Sequence, residues 1–201
     1  MKYDLYLVGV GGQGVLTIGE LLAVAAFEKG WPVNFFPSRG MAQRGGFVKA
    51  QLRLGREFVG PNLPERGADL VIAMEPSEAL KAVRYLRPGG EFLLYADTWL
   101  PTAVMLGKAP YPKLERLEQA VQEAEGRWLC LNPADRPVVR GEPAVGNLFT
   151  LGVALAQTTL KDLFGMEEVQ RAIQKRWARN AEANLEALRA GGKRLRPLLV
   201  L

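Results

Sequence analysis

Leu5-Tyr6-Leu7-Val8-Gly9-Val10-Gly11-Gly12-Gln13-Gly14 decides the fold class. An apolar run of strand type ends in glycines, and from Val15 to Lys29 the apolar residues Leu16, Ile18, Leu21, Leu22, Ala25 and Ala26 recur at helical spacing. This is strand, tight turn, helix. Gly30 ends the helix, and Val33-Asn34-Phe35-Phe36 supplies a second β run, completing a right-handed βαβ unit if the two strands are parallel.

Further along, Val48, Ala50, Leu52 and Leu54 alternate with Lys49, Gln51 and Arg53 as in a half-buried strand. Gly55-Arg56 reads as its turn and Glu57-Phe58-Val59 as the return strand of a hairpin, which makes the sheet mixed. Leu70 to Met74 is a buried strand, and Glu75-Pro76 opens a helix that Pro88-Gly89-Gly90 breaks. Phe92 to Tyr95 and Trp128 to Leu131 read as strands flanking a helix from Leu114 to Ala124. Two helices close the chain, Asn147 to Leu160 and Glu167 to Ala190, the second capped by Gly191-Gly192. The expectation is a three-layer α/β/α fold with a doubly wound-like mixed sheet and C-terminal helices, in a single domain over residues 1–201.

Composition narrows the function. Nearly half of the 201 residues are apolar (48%) and 23% are charged, the balance of a folded globular chain. No apolar run reaches the roughly 18 residues of a membrane span, and Met1-Lys2-Tyr3-Asp4 leads straight into a strand, which places the protein in the cytoplasm. A single cysteine, Cys130, excludes an internal disulfide and an iron–sulfur cluster held by this chain alone. With no histidine, the commonest zinc ligand and general base is missing too. The net charge is +5, with Lys175, Arg176, Arg179, Arg189, Lys193, Arg194 and Arg196 gathered towards the C-terminus. There is no zinc-finger spacing, aromatic-interleaved basic strand or recognition helix, so an acidic protein partner or a phosphorylated cofactor suits this charge better than nucleic acid.

Gly9, Gly11 and Gly14 fit the G-x-G-x-x-G spacing between strand and helix. In that context the first glycine permits the turn, the second lets a phosphate approach the backbone, and the third permits close packing; free N–H groups at the helix start attract an anion. Alternatively the glycines serve the turn alone. An NAD site needs a carboxylate at the end of the second strand, and Asn34-Phe35-Phe36-Pro37 has none, although Ser38 and Arg39 could meet a 2′-phosphate. An NADP-binding reductase and a phosphate-binding scaffold therefore stay open. The loop from Pro37 to Gly46 carries Arg39, Gln43 and Arg44, and its arginines can clamp a phosphate or carboxylate, or meet carboxylates of a neighbouring subunit. Asn147, at the start of its helix, reads first as an N-cap and second as a ligand residue. Asp97 reads as a turn or cap residue, Glu75 as part of a strand-to-helix turn, and Cys130 as an inert core thiol.

Three stretches in order, Gly9-Val10-Gly11-Gly12-Gln13-Gly14-Val15-Leu16, Gly40-Met41-Ala42-Gln43-Arg44-Gly45-Gly46 and Asn147-Leu148-Phe149-Thr150-Leu151-Gly152, resemble the γ subunit or domain of the 2-oxoacid:ferredoxin oxidoreductases. The Met-Ala-Gln form of the middle loop is most similar to the β subunit of the indolepyruvate enzymes. The resemblance covers residues 3–160, with 161–201 as a helical extension. It implies a non-catalytic subunit of a heteromeric enzyme that oxidatively decarboxylates a 2-oxoacid, of pyruvate or indolepyruvate type, to an acyl-CoA with electrons passing to ferredoxin. Thiamine diphosphate and [4Fe-4S] clusters would then sit on partner subunits, and a homodimer of this chain is compatible with such an assembly. A part in handling coenzyme A fits this resemblance and suits a pyrophosphate loop at Gly11 to Gly14 with Arg39 and Arg44, while another phosphate ligand or none stays open; the candidate cofactor-binding residues are Gly9, Gly11, Gly12, Gln13, Gly14, Arg39, Gln43, Arg44 and Asn147. Ser38-Arg39 departs from many relatives before Gly40, which leaves the 2-oxoacid unspecified.

Overall fold

All eight residues of strand β1 (Tyr3–Val10) are buried, as expected of a strand covered on both faces. The computed structural model describes residues 1–39, 46–100, 102–108, 110–179 and 181–194. With β2 (Val33–Arg39), β3 (Phe47–Leu54), β4 (Ala68–Ala73), β5 (Leu86–Tyr95) and β6 (Arg127–Leu131), β1 forms a six-stranded sheet of order β2-β3-β1-β4-β5-β6. β1, β4, β5 and β6 pair in parallel, and β3 runs antiparallel to both of its neighbours. The sheet is mixed, with helices on both sides.

One face packs on α1 (Val15–Glu28), α5 (Gly146–Gln157), α6 (Met166–Trp177) and α7 (Glu182–Gly192); Leu5, Leu7, Leu52, Ile18, Leu151, Ile173 and Leu188 share one apolar cluster there. α2 (Pro76–Ala82) and α4 (Leu114–Glu123) cover the other face, around Val71, Phe92, Leu117 and Val121. The short α3 (Thr102–Met105) and the small β7 (Val138–Val139) and β8 (Glu142–Pro143) hairpin lie outside these layers.

Several local expectations are corrected. β1 and β2 point the same way but are not neighbours, because β3 inserts between them. The hairpin is β2–β3, registered from Val33–Leu54 to Arg39–Val48, so both edges of β3 are taken and Glu57-Phe58-Val59 has no slot as a strand. Phe58 is 93% exposed. The loop that follows instead lies over β3: Leu63 N–H donates to the Gln51 side chain, and Arg53 donates to Asp4 at 2.9 Å, which buries two side chains that strand alternation had placed in solvent.

Pro88-Gly89-Gly90 lies inside β5 rather than after a helix, since α2 gives way at Ala82 to a 3₁₀ turn, Val83–Tyr85. The β4–β5 register jumps there from Ala68–Leu86 to Leu70–Glu91, an irregularity that Gly89 (φ 69°) absorbs. The last expected helix is two helices, α6 and α7, and Gly191-Gly192 form the last turn of α7. A Cβ on Gly191 would strike the Phe149 carbonyl, and one on Gly152 the Leu188 carbonyl. These glycines allow α5 and α7 to touch backbone to backbone, a contact a single continuous helix could not make.

Candidate functional site

β1, β4 and β5 end side by side at Val10, Ala73 and Tyr95, and ligands of doubly wound folds bind at this carboxyl edge. A pocket of about 330 Å³ opens there between the glycine-rich loop, Met74, Tyr95, Asp97 and the start of α5. Each glycine has its own reason. A side chain on Gly9 would come within 3.0 Å of the Gln13 carboxamide, Val15 and Met74, while Gly12 (φ 107°) and Gly14 (φ 73°) sit in the left-handed region. The Gly11 N–H donates to the Gly46 carbonyl at 2.8 Å, which joins the glycine-rich loop to the end of the second motif loop.

Gln13 is a brace. Its Oε1 accepts from Val10 N–H at 3.0 Å, and its Nε2 donates to the Met74 carbonyl at 2.8 Å and to Asp97 Oδ2 at 3.3 Å. One carboxamide thus ties together the ends of three strands. Asn147 is not the N-cap of α5, a place held by Val145. From the first turn it donates to the Gly14 carbonyl at 3.2 Å, and its amide fills the space a Cβ on Gly14 would need. α1 begins at Val15 after Gly14, and no side chain caps it; uncapped N–H groups at a helix start favour an anion.

Arg136 completes the lining and was missed in the sequence. Its Nε and Nη1 donate to the carbonyls of Pro133 and Ala144, both at 3.1 Å, and its guanidinium lies 5.9 Å from the Tyr95 ring centre. The signal was its position just beyond β6, in another loop at the carboxyl edge. Asp97, read as a turn residue, makes that turn through its N–H to the Tyr95 carbonyl and also lines the pocket. Burial raises the Tyr95 phenol, against the pull of Arg136 and with the help of Asp97. The lining combines the Arg136 guanidinium with backbone and amide groups and the Asp97 carboxylate, and its donors can hold an anion.

The remaining sequence candidates lie elsewhere. Arg39 is placed by its backbone at the end of β2, two strands from β1; Gln43 and Arg44 fall outside the described residues. In a nucleotide-binding βαβ unit the second strand adjoins the first, so the position of β2 removes the geometry an NADP site would use. Glu75 is fully buried as the N-cap of α2, accepting from Glu78 N–H at 2.8 Å, Ser77 at 2.6 Å and the Tyr111 hydroxyl at 2.5 Å. Burial, with Glu118 adding to it, pushes the Cys130 thiol up to about 11. Much of the C-terminal basic cluster is paired: Lys175 with Glu28, Arg176 with Glu20, Arg189 with Glu182 and Arg194 with Asp135. Among the described residues no three His, Cys, Asp or Glu groups come together as metal ligands, and no helix is long and apolar enough to cross a membrane.

Residues 4–194 match the family described as pyruvate ferredoxin/flavodoxin oxidoreductase. Similar proteins include the indolepyruvate oxidoreductase subunit IorB of Archaeoglobus fulgidus, 33% identical over 95% of this chain and 94% of that one. The subunit of the same name from Pyrococcus horikoshii is 34% identical over 100% of this chain and 99% of its own length. Among solved structures, pyruvate oxidoreductase subunit PORC of Thermotoga maritima superposes with a TM-score of 0.68 at 22% identity, covering 94% of both chains. The 2-oxoglutarate:ferredoxin oxidoreductase of Magnetococcus marinus superposes with a TM-score of 0.64 at 16% identity, over 95% of this chain and 30% of that one. With the family match spanning nearly the whole chain, and relatives of the same length, this protein belongs to the pyruvate ferredoxin/flavodoxin oxidoreductase family and has the build of its small subunits.

Proposed function

We propose that this chain is the γ-type subunit of a thiamine-diphosphate-dependent 2-oxoacid:ferredoxin oxidoreductase, and that its carboxyl-edge pocket receives a phosphate-bearing part of coenzyme A. In the reaction, a 2-oxoacid and coenzyme A yield an acyl-CoA and carbon dioxide, and two electrons pass to ferredoxin. Indolepyruvate or pyruvate is the 2-oxoacid, in keeping with the names of the relatives. Thiamine diphosphate and the iron–sulfur clusters belong to partner subunits, and the complex works in the cytoplasm.

The observation that carries the coenzyme reading is that Gly14, the N-cap of α1 with no side-chain cap, lines the same pocket as Arg136. Free N–H groups with a guanidinium nearby favour an anion. Asn147 holds Gly14, and Gln13 engages Asp97, so an amide donor already meets the one carboxylate in the lining. The Magnetococcus marinus enzyme, which shares the fold, was solved with coenzyme A and succinyl-CoA bound.

The test is steady-state kinetics of the assembled complex. Replacing Arg136 by Ala removes a charged hydrogen-bond donor worth about 1.5–3 kcal/mol, so the KM for coenzyme A rises about 10- to 100-fold. kcat at saturating coenzyme changes little, because this chain places no reacting group. An unchanged KM rejects the coenzyme site.

A further inference from the structure

A second cleft lies on the face of the sheet that α2 covers. Tyr6 and Val8, two residues apart on β1, point to that face, and Phe47 stands at the start of β3 opposite Val10. α2 packs on β1, β4 and β5, and between its end and the start of β3 a space of about 270 Å³ remains, lined by Val8 and by the aromatic residues Tyr6, Tyr85 and Phe47. Tyr6 and Tyr85 are stacked, with ring centres 4.3 Å apart and planes inclined by 15°, which fixes that wall. A space of this size takes one ring or two fused rings.

One polar group of the lining is incompletely paired. The Glu78 side chain, on α2, is only 8% exposed. Its Oε1 accepts from Lys81 at 2.8 Å, whereas its Oε2, closed to solvent, has no hydrogen-bond partner among the described residues. The buried Glu75 and Glu91 differ: both oxygens of each meet a donor, from Tyr111, Ser77 and the Glu78 N–H in one case and from Arg127 and Thr159 in the other. A buried acceptor without a donor is costly, so a donor entering the cleft relieves Glu78. The charges at the rim select that donor. Lys81 and Arg84 are 67% and 61% exposed, and Arg84 donates to the Tyr85 hydroxyl at 3.1 Å. These two groups repel a cation, and an anion would meet the bare oxygen; a neutral donor meets neither obstacle.

We infer that this cleft binds a small, flat, uncharged ring system with one N–H donor, of the size and kind of indole, whose N–H donates to Glu78 while the ring lies against Tyr6, Tyr85 and Phe47. The aromatic walls supply affinity, and the carboxylate supplies selection against rings that lack the donor. The inference goes beyond the coenzyme reading and does not depend on it, because the two pockets have no lining residue in common.

The experiment follows backbone amide shifts of the isotope-labelled full chain on titration with two probes of nearly equal shape, indole and benzofuran, the second having a ring oxygen in place of the N–H. Indole gives saturable shifts at Tyr6, Val8, Phe47 and Tyr85, with a Kd on the order of 0.1–1 mM. Benzofuran binds about 10- to 100-fold more weakly, because it leaves the Glu78 oxygen unpaired. Glu78→Gln, which keeps the shape of the side chain, narrows this preference, and Glu78→Ala removes it. The two probes on the parent chain give the answer even where a variant is unstable. Equal affinity of the probes, shifts that fall at Gln13, Asp97 and Arg136 instead, or no saturable shift overturns the inference. So does preferential binding of methylguanidinium, which makes the cleft a cation site, or of inorganic phosphate with loss in Lys81→Ala and Arg84→Ala, which makes it an anion site.

Discussion

The side-chain nitrogen of Asn147 donates to the carbonyl oxygen of Gly14 at 3.2 Å, joining residues 133 positions apart. Gly14 has a left-handed backbone, and the Asn147 amide occupies the place of its missing Cβ. Gly14→Ala should therefore cost about 1–2 kcal/mol for the backbone alone, plus the displacement of Asn147. Asn147→Ala should cost about 1 kcal/mol. In the double variant the clash is relieved, and denaturant titration should give a loss smaller than the sum of the two. Strict additivity would show that the two residues do not meet.

Gln13→Glu places a carboxylate against the Met74 carbonyl and beside Asp97, where an amide now donates. The neighbouring acid raises the pKa of the new carboxyl in the folded state. The destabilisation is then full at pH 8 and shrinks as the pH falls and the group takes up a proton. Melting temperatures of the variant and parent should converge between pH 8 and pH 5; a gap that widens on acidification contradicts the brace.

At the α5–α7 crossing, Gly152→Ala puts a methyl group into the Leu188 carbonyl and the Gly191 backbone. Overpacking of this kind costs about 1–3 kcal/mol. Since α7 carries Leu185 and Leu188 into the main core, the lesion should appear as faster hydrogen exchange across α7 as well as a lower melting temperature. Exchange confined to α5 would argue against a shared contact.

The Cys130 thiol, raised to about 11, is almost wholly protonated at neutral pH. Alkylation by iodoacetamide at pH 7.5 should be slower than for a free thiol, and its rate should climb through pH 10. A rapid reaction at neutral pH would place Cys130 in a different environment.

Burial works against the Glu168 carboxylate, yet its hydrogen bond from Lys29 at 2.9 Å and the Gly165 N–H at 2.6 Å hold it below the usual range. A depressed carboxylate stabilises the fold above its unfolded pKa, and that contribution is lost as the pH falls through the folded value. Glu168→Gln should cost up to about 1 kcal/mol at pH 7, less in high salt. The difference from the parent should close in acid; a loss independent of pH would assign the effect to helix packing instead.

Much of the architecture is legible in local pattern. Continuous apolar runs such as Leu5 to Val8 and Leu70 to Ala73 belong to strands covered on both faces, and the alternation of β3 and the spacing of α1 are equally plain. Local pattern errs where two distant segments meet. Gly191-Gly192 reads as a cap until α5 lies against it, and Glu57-Phe58-Val59 reads as a strand until β1 and β2 occupy both sides of β3.

The candidate site divides in the same way. By itself the sequence determined that a glycine-rich turn joins β1 to α1, that this chain brings no histidine and one cysteine, and which family its motifs resemble, because these depend on residue type and short spacing. Only the tertiary structure decided that Gln13 braces three strand ends, that Asn147 supports Gly14, and that Arg136 faces the same pocket. The physical reason is that the sheet order, and not the chain order, brings the loops after β1, β4, β5 and β6 to one edge, where side chains far apart in sequence satisfy one another's hydrogen bonds.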